Sequence, residues 1–189
     1  MSIYTGITIF CWAVLLTYWF INAPKVKAAE KTQSSISRFL YMLVMVSGFV
    51  IVYARVLAIG VLGIQVIPAN DITGIIGAAV CISGVGFAIW ARKTLGSNWS
   101  ARVTLKKEHE LVQSGPYKIV RHPIYTGFEI GLLGVAITIG QLKGLLGLSM
   151  VFVNHYFKTR IEEEIMYSQF PAQYPEYAKR VKRLIPLIF

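Results

Sequence analysis

ITGIIGAAVCISGVGFAIWA, the stretch from Ile72 to Ala91, decides the class of fold because its twenty residues include no charged side chain. A helix needs about 20 apolar residues to cross the hydrocarbon core of a bilayer. The whole chain has the same character: 55% of its 189 residues are hydrophobic, only 15% are charged, and the mean hydropathy is +0.57. A soluble domain carries about 25% charged residues. The sequence therefore predicts an integral membrane protein.

Four further apolar runs flank this stretch, and together they predict an all-α, integral membrane helical bundle of about five transmembrane helices. The five runs are about Ile3–Ala23, within Phe39–Ile67, Ile72–Ala91, Ile124–Gly140 and Gly144–Phe157. The last two are short, and only Gln141-Leu142-Lys143 separates them, which predicts a tight C-terminal helical hairpin. The first run has no charged segment before it and no clear cleavage site, so we expect it to be retained as a span.

Lysine and arginine are concentrated in alternate connections between the runs. The connections after the first and third runs and the C-terminal tail hold almost all of them, whereas the fourth connection has only Lys143. Because basic loops stay in the cytoplasm, the pattern predicts an outside N-terminus and a cytoplasmic C-terminus. Basic loops beside anionic lipids also account for the formal charge of +10. No nucleic-acid-binding motif accompanies this charge, so we expect no nucleic-acid partner.

Small residues recur at the spacing that is typical of packed membrane helices. They are Gly74 with Gly77, Gly84 with Gly86, and Gly127 with Gly131 and Gly134. Cys11 and Cys81 also lie within apolar runs, and two isolated cysteines give neither a metal-ligand spacing nor a disulfide framework. We therefore interpret both as small buried residues.

The densest polar cluster is YKIVRHPIY, from Tyr117 to Tyr125, which leads directly into the fourth run. Pro123 suits the first turn of a helix and favours an extended residue before it, which places Arg121 and His122 at the helix mouth. Free N–H groups at a helix start attract anions, and an arginine can grip a carboxylate through two parallel hydrogen bonds. The alternative is a basic interfacial flank that holds no site.

A second polar cluster, Arg160-Ile161-Glu162-Glu163-Glu164, follows the fifth run. Its acids have three possible partners, namely ribose hydroxyls, a cationic group or Arg121, and the alternative is a solvated helix face. If the hairpin closes, both polar clusters meet at the same membrane face.

Three ionisable residues lie inside the apolar runs: Arg55, Glu129 and His155. Charge inside a membrane is costly and indicates function by default. A structural Arg55–Glu129 pair and snorkelling of either residue are equally compatible with the sequence. Glu129 lies four residues after Tyr125 and so shares its helix face. His155 either lines a pocket or links two helices.

The C-terminal tail carries Tyr174, Tyr177, Val181 and Leu184 at intervals of three or four residues. This spacing predicts an amphipathic helix that Pro186 limits, with a basic side suited to a membrane surface.

Several of these segments, in this order, resemble the isoprenylcysteine carboxyl methyltransferase and phospholipid methyltransferase superfamily. They are LGSNWS at Leu95–Ser100, HELVQSGPY at His109–Tyr117, RHPIYTG at Arg121–Gly127, Glu162-Glu163, Phe170, Tyr174–Tyr177 and Leu184–Pro186. The resemblance covers about half the chain, from Leu95 to the C-terminus. It departs from the family pattern at Pro171, where the family usually has glycine, and it leaves open whether Lys158 or Arg160 is the functional basic residue before the acidic pair.

The resemblance implies a pocket for S-adenosylmethionine on the cytoplasmic side. The length favours one compact domain, so we expect a single membrane domain over residues 1–189. Its N-terminal part, 1–91, holds three spans, and 92–189, which carries the resemblance, is the expected catalytic half. By motif position, Arg121 and Glu163 are the catalytic pair that organises the reacting end. The residues implied to bind the cofactor are His109, Leu111, Tyr117, His122, Tyr125 and Glu162.

The implied activity is methyl transfer to a lipophilic acceptor, either the carboxylate of an isoprenylcysteine-like molecule or the amine of a phospholipid, with no metal. An amine acceptor must lose a proton, and Glu163 or His122 is then the candidate base. One alternative is an NADPH-dependent reductase of the sterol type, which resembles this superfamily in its C-terminal part. Such reductases usually have many more spans and asparagine in place of His122. The other alternative is a non-enzymatic membrane subunit.

Overall fold

The computed structural model of the chain describes residues 2–22, 31–32, 35–96, 104–105, 111–186 and 188. Within these residues there are six α-helices: α1 Ile3–Asn22, α2 Ser35–Tyr53, α3 Asp71–Leu95, α4 Pro123–Ile139, α5 Leu142–Gln169 and α6 Gln173–Arg180. Short 3-10 turns occur at Arg55–Leu57, Gly60–Gly63 and Gly115–Lys118. Two short strands, β1 Lys31–Thr32 and β2 Thr104–Leu105, pair in an antiparallel manner. The predicted all-helical architecture is confirmed, apart from this strand pair.

Two of the helices are long and apolar enough to cross a membrane, namely α1 with 20 residues and α3 with 25. The apolar part of α2, Phe39–Tyr53, and helix α4 are shorter. Large apolar side chains lie on the outside of the bundle, as Phe10 and Phe20 show with 68% and 78% of their surface exposed. Such exposure suits a surrounding of lipid rather than water. The number of five spans stays a prediction.

Helices α3 and α4 pack closely because glycines face each other across their interface. A Cβ atom added to Gly127 would lie 2.7 Å from the carbonyl oxygen of Gly84 and 2.7 Å from the backbone nitrogen of Ala88. The predicted role of Gly84 and Gly127 in helix packing is therefore confirmed. Gly86 takes no part in it, since a Cβ there would meet nothing within 4 Å. It lies two residues from Gly84 and therefore on a different side of the helix.

Helices α2 and α5 form a second close contact, which the sequence analysis did not identify. A Cβ at Gly147 would lie 2.6 Å from the carbonyl oxygen of Gly48. The apolar core of the bundle, to which α1 to α5 all contribute, includes Cys11 of α1 and Cys81 of α3, both of which are buried and free. The interpretation of the two cysteines as buried residues is confirmed.

The predicted hairpin is present and unusually tight, because only Gly140 and Gln141 lie between α4 and α5. Gly140 adopts a φ of +68°, a left-handed conformation that glycine adopts without steric cost. The fifth apolar run ends at Phe157, but the helix continues to Gln169 because no glycine or proline interrupts it before Pro171. Helix α5 therefore carries the second polar cluster, Arg160 to Glu164, past the N-terminal end of α4.

The predicted tail helix is shorter than expected. Helix α6 ends at Arg180, and Val181 is already extended, with φ and ψ of −117° and 130°. The extended conformation follows from backbone pairing of the tail with the segment before α4, since the N–H of Arg121 donates to the carbonyl of Lys182 at 2.8 Å. Tyr174, Tyr177 and Leu184 are nevertheless buried, as their spacing indicated.

Candidate functional site

The extended tail covers the mouth of α4, which is the N-terminal end of this helix at Arg121 to Pro123. Pro123 occupies the first turn, as predicted, and the N–H of His122 donates to the carbonyl of Arg183 at 3.1 Å. One turn further, the hydroxyl of Thr126 donates to the carbonyl of Leu184 at 2.7 Å. The N–H groups of Arg121 and His122 are therefore engaged by backbone carbonyls. Anion binding by the free N–H groups at the start of α4 stays a prediction.

Arg121 and Glu163 form a buried ion pair at this mouth. The Nε and Nη2 atoms of Arg121 each lie 2.7 Å from Oε1 of Glu163. The Nη1 atom of Arg121 donates to the carbonyls of Ala178 and Val181, at 3.1 and 2.5 Å. One guanidinium thus ties α4, α5 and the tail together, so the predicted meeting of the two polar clusters is confirmed.

Arg183 completes the grip on Glu163, and the sequence analysis did not select it. Its Nε and Nη2 atoms donate to Oε2 of Glu163 at 2.9 and 2.7 Å. Both bonds are charge-assisted, and charge-assisted hydrogen bonds are among the strong ones in proteins. The position of Arg183 directly before the motif segment Leu184–Pro186 could have indicated this residue.

Glu162, His122 and Tyr125 form the neighbouring part of the site. The Tyr125 hydroxyl donates to Oε1 of Glu162 at 2.5 Å, and His122 Nδ1 lies 3.4 Å from Oε2 of Glu162. His122 Nε2 lies 3.2 Å from Oε1 of Glu163, so this imidazole bridges the two carboxylates. The side chain of Glu162 keeps 23% of its surface exposed, against 4% for Glu163. Glu162 is therefore the carboxylate that a ligand can reach.

These contacts fix the charge states of the central groups. Burial alone would raise the pKa of Glu163, but hydrogen bonds from His122 and Arg183, together with the charges of His122 and Arg121, lower it to about 2. Burial would lower the pKa of His122, yet its hydrogen bonds to Glu162 and Glu163 raise it above the ordinary 6.5. Glu163 is an ionised anchor, and it is a poor base at neutral pH.

The site carries more positive than negative charge. Arg121, Arg183 and Lys158 face the carboxylates of Glu162 and Glu163. Among the described residues no group of three or more histidines, cysteines or acids could hold a metal ion. The excess positive charge favours an anionic partner for this site.

Known proteins resemble the part of the chain that builds this site. The family model of the isoprenylcysteine carboxyl methyltransferase family matches residues 76–168. The protein-S-isoprenylcysteine O-methyltransferase of Schizosaccharomyces pombe is 40% identical over 97 residues, which cover 49% of this chain and 41% of that protein. The cobalt-zinc-cadmium resistance protein CzcN of Cupriavidus metallidurans is 34% identical over 95 residues, covering 49% of this chain and 44% of that protein.

A solved structure is similar over a larger part of the chain. The eukaryotic intramembrane Ras methyltransferase, an isoprenylcysteine carboxyl methyltransferase, superposes with a TM-score of 0.58 at 31% identity, covering 79% of this chain and 53% of that chain. These matches support the isoprenylcysteine carboxyl methyltransferase superfamily for the part of the chain that they cover. The solved relative is an intramembrane enzyme, and two described helices of this chain are long and apolar enough to cross a membrane. The chain spans about half the length of the curated relatives that it matches.

The superfamily segments can now be located in the fold. Tyr117 lies buried in the turn before α4, where burial, followed by the charges of Tyr177 and Glu162, raises the pKa of its hydroxyl. Its carbonyl accepts a hydrogen bond from the Tyr177 hydroxyl at 2.6 Å. Leu111 is half-buried at the start of a described segment. His109 lies outside the described residues, so its assignment stays a prediction.

The two basic residues before the acidic pair lie in different surroundings, and which of them acts stays a prediction. Lys158 Nζ lies over the Tyr125 ring, 5.4 Å from its centroid, and its charge acts on Glu162. Arg160 is exposed and lies over the Tyr156 ring instead. Lys158 and Glu162 are four residues apart and share a face of α5. Of the two residues, Lys158 is therefore the one that lies beside Tyr125 and Glu162.

The intramembrane residues pair differently from one of the sequence interpretations. Glu129 Oε1 lies 2.6 Å from Nδ1 of His155, which links α4 to α5. The suggested Arg55–Glu129 pair is wrong, because Arg55 follows Ala54, whose carbonyl accepts from Lys143 at the start of α5. That is the opposite end of the hairpin from the site, whereas Glu129 lies two turns above the mouth of α4.

Proposed function

We propose that this chain is an integral membrane methyltransferase that uses S-adenosylmethionine to methylate the carboxylate of a lipophilic, isoprenylcysteine-like acceptor. The observation that carries the proposal is the buried Arg121–Glu163 ion pair, with Glu162 and Tyr125 beside it. All four residues come from the segments that carry the superfamily resemblance. The domain assignment is part of the proposal: residues 1–91 supply three spans and residues 92–189 form the catalytic half.

The residues at the site fit the proposed cofactor. Glu162 has the exposed carboxylate surface that ribose hydroxyls or a cationic centre require. The Tyr125 hydroxyl and the His122 ring lie beside this carboxylate. His109, Leu111 and Tyr117 complete the proposed set by motif position. When bound, S-adenosylmethionine supplies a methyl group that is already activated for transfer.

The charge of the site favours a carboxylate acceptor over an amine. A carboxylate is ionised at pH 7 and needs no base. Glu163 cannot take a proton from an amine at neutral pH, since its pKa is held at about 2. Arg183 keeps 21% of its side-chain surface exposed. In the proposed mechanism Glu163 holds Arg121 and Arg183 in place, and the guanidinium of Arg183, the more exposed of the two, attracts the acceptor carboxylate.

The proposed location of the site is the cytoplasmic face. The basic tail, with Lys179, Arg180, Lys182 and Arg183, folds onto the same end of the hairpin as the site. Basic segments remain in the cytoplasm, so this end is proposed to face the cytosol, with the N-terminus outside. A soluble cofactor then enters from the cytosol, and a lipid acceptor enters from the bilayer.

A transfer assay with purified protein in detergent tests the proposal. The protein is incubated with S-adenosylmethionine labelled in its methyl group and with either N-acetyl-S-farnesylcysteine or phosphatidylethanolamine. We expect a base-labile methyl ester on the farnesylcysteine and no labelled phospholipid. Glu163→Gln should abolish the ester, whereas Glu164→Gln, a change at an exposed neighbour, should not. Labelled phospholipid alone would contradict the carboxylate assignment, and no label on either acceptor would contradict the proposed function.

A further inference from the structure

Glu129 and His155 lie inside the α4–α5 hairpin, and neither has a role in the proposed mechanism. The side chain of His155 is 3% exposed and that of Glu129 is 14% exposed. Oε1 of Glu129 meets Nδ1 of His155 at 2.6 Å, while Oε2 of Glu129 is buried without a hydrogen-bond partner among the described residues. The pair therefore places two ionisable groups, one of them incompletely satisfied, in the apolar layer.

Stability does not account for this pair. A buried ion pair can often be replaced by apolar side chains of similar volume without loss of stability, because removing the charges from water costs more than their attraction returns. The cost is greater in the apolar layer of a membrane, where ionisable residues commonly serve function. An explanation must come from what the pair holds in place.

The pair holds one end of a column of three stacked rings. The His155 ring stacks on Tyr125 with centroids 4.5 Å apart and an interplanar angle of 27°. Tyr125 in turn stacks on His122 at 6.0 Å and 22°. Carboxylates anchor both ends, since Glu129 holds His155 and the Glu162-Glu163 pair holds His122. Tyr125 is the middle ring, and its hydroxyl donates to Glu162 at 2.5 Å.

We infer that Glu129 and His155 are positioning residues that act through Tyr125. The anchored His155 ring fixes the plane of Tyr125, and this plane directs the Tyr125 hydroxyl to the accessible carboxylate of Glu162. The inference rests on the proposed function, in which Glu162 binds the cofactor. Glu129 and His155 thus extend the site from the mouth of α4 into the apolar layer, about 10 Å along α5 at 1.5 Å per residue.

The test is a double-mutant cycle between Glu129→Leu/His155→Leu and Tyr125→Phe. The first variant replaces the whole pair by apolar residues, so its melting temperature in detergent should equal or exceed that of the parent. Calorimetry should show S-adenosylmethionine affinity about tenfold weaker in either variant. Combining them should add less than twofold, because both remove the same directed hydroxyl. Glu129→Gln keeps a hydrogen-bond acceptor for Nδ1 and should lose less than threefold.

Full cofactor affinity in the double-leucine variant, or fully additive losses in the combined variant, would overturn the inference. If the double-leucine variant does not fold, Glu129→Gln/His155→Asn keeps a polar pair without the ring and should show the same tenfold loss; unchanged affinity there would also overturn it.

Fluorine NMR of 3-fluorotyrosine at position 125 provides a readout that needs no cofactor. Its resonance should move towards the random-coil value in either pair variant, and an unmoved resonance contradicts the inference even if the proposed function is correct. Absence of cofactor binding in the parent protein contradicts the proposed function instead.

Discussion

The guanidinium of Arg121 meets the carboxylate of Glu163 at 2.7 Å across a sequence separation of 42 residues. This pair joins the start of α4 to the part of α5 that continues past the apolar run. The positive charge of Arg121 also helps to keep Glu163 ionised, together with the hydrogen bonds that His122 and Arg183 make to that carboxylate.

Arg121→Lys should keep the charge and lose the function. A lysine ammonium has all its donors on one atom and cannot reach Oε1 of Glu163 together with the carbonyls of Ala178 and Val181. We expect methyl transfer to fall about 100-fold, the order of loss that a misplacement of about 1 Å produces in an active site. Steady-state rates with labelled cofactor measure this. Arg160→Lys, a change at an exposed arginine that lies over the Tyr156 ring, is the matched control, and equal losses in both variants would contradict the assignment.

The low pKa of Glu163 predicts acid sensitivity. Because its pKa is about 2 in the folded protein and near 4.5 when unfolded, its contribution to stability is fully present above pH 4.5. It is lost as the pH falls towards 2 and amounts to about 3 kcal/mol. Melting temperatures in detergent between pH 2 and 7 measure the loss. Glu163→Gln should flatten this acid limb, and an unchanged limb in that variant would assign the sensitivity to other groups.

The raised pKa of His122 predicts a loss of stability as the pH rises. Its protonated form is favoured in the folded protein, so its contribution is fully present below the unfolded pKa of about 6.5. The contribution is lost as the pH rises through the raised folded value. NMR titration of the His122 ring resonances should give a pKa above 6.5. A value at or below 6.5 would show that the carboxylates do not control this imidazole.

Arg183→Gln tests the arginine that the sequence analysis missed. Loss of its two bonds leaves Oε2 of Glu163 underpaired, which should cost about 1–3 kcal/mol of stability. We also expect a raised KM for the acceptor, because an exposed cation beside the proposed acceptor site is removed. Lys182→Gln changes an exposed neighbour of the same charge and should leave both quantities unchanged. Equal effects in the two variants would show that Arg183 acts only through its surface charge.

The packing of α3 on α4 can be tested with two glycines of one helix. Gly84→Ala places a methyl group against the backbone of α4, where the carbonyl of Gly127 would be 2.7 Å away. Overpacking of this kind costs about 1–3 kcal/mol, which should appear as a lower melting temperature in detergent. Gly86→Ala meets nothing within 4 Å and should have no such effect. Equal melting temperatures for the two variants would contradict the packing described.

The sequence predicted those parts of the site that are local along the chain. RHPIYTG places Arg121, His122 and Tyr125 within one turn of a helix start, and the adjacent Glu162 and Glu163 extend from the second helix of a short hairpin. A hairpin of two residues brings these segments together with little freedom, so their contact followed from the spacing. The apolar runs similarly predicted the helices, because long uncharged stretches need lipid.

The contacts that the sequence did not predict depend on long-range geometry. Arg183 reaches Glu163 only because the tail leaves its helix and pairs with the α4 mouth, which helical periodicity cannot show. The choice of His155 over Arg55 as the partner of Glu129 depends on which end of the hairpin α2 reaches. Local patterns do not encode that position.

Calorimetric binding of S-adenosylmethionine to the detergent-purified protein is the most direct test of the proposed cofactor. We expect saturable binding of S-adenosylmethionine by the parent protein and by Glu164→Gln, with loss of binding in Glu162→Gln and no binding of NADPH. Folded protein that binds NADPH and not S-adenosylmethionine would contradict the proposed methyltransferase in favour of a reductase, and binding of neither would leave a non-enzymatic membrane subunit.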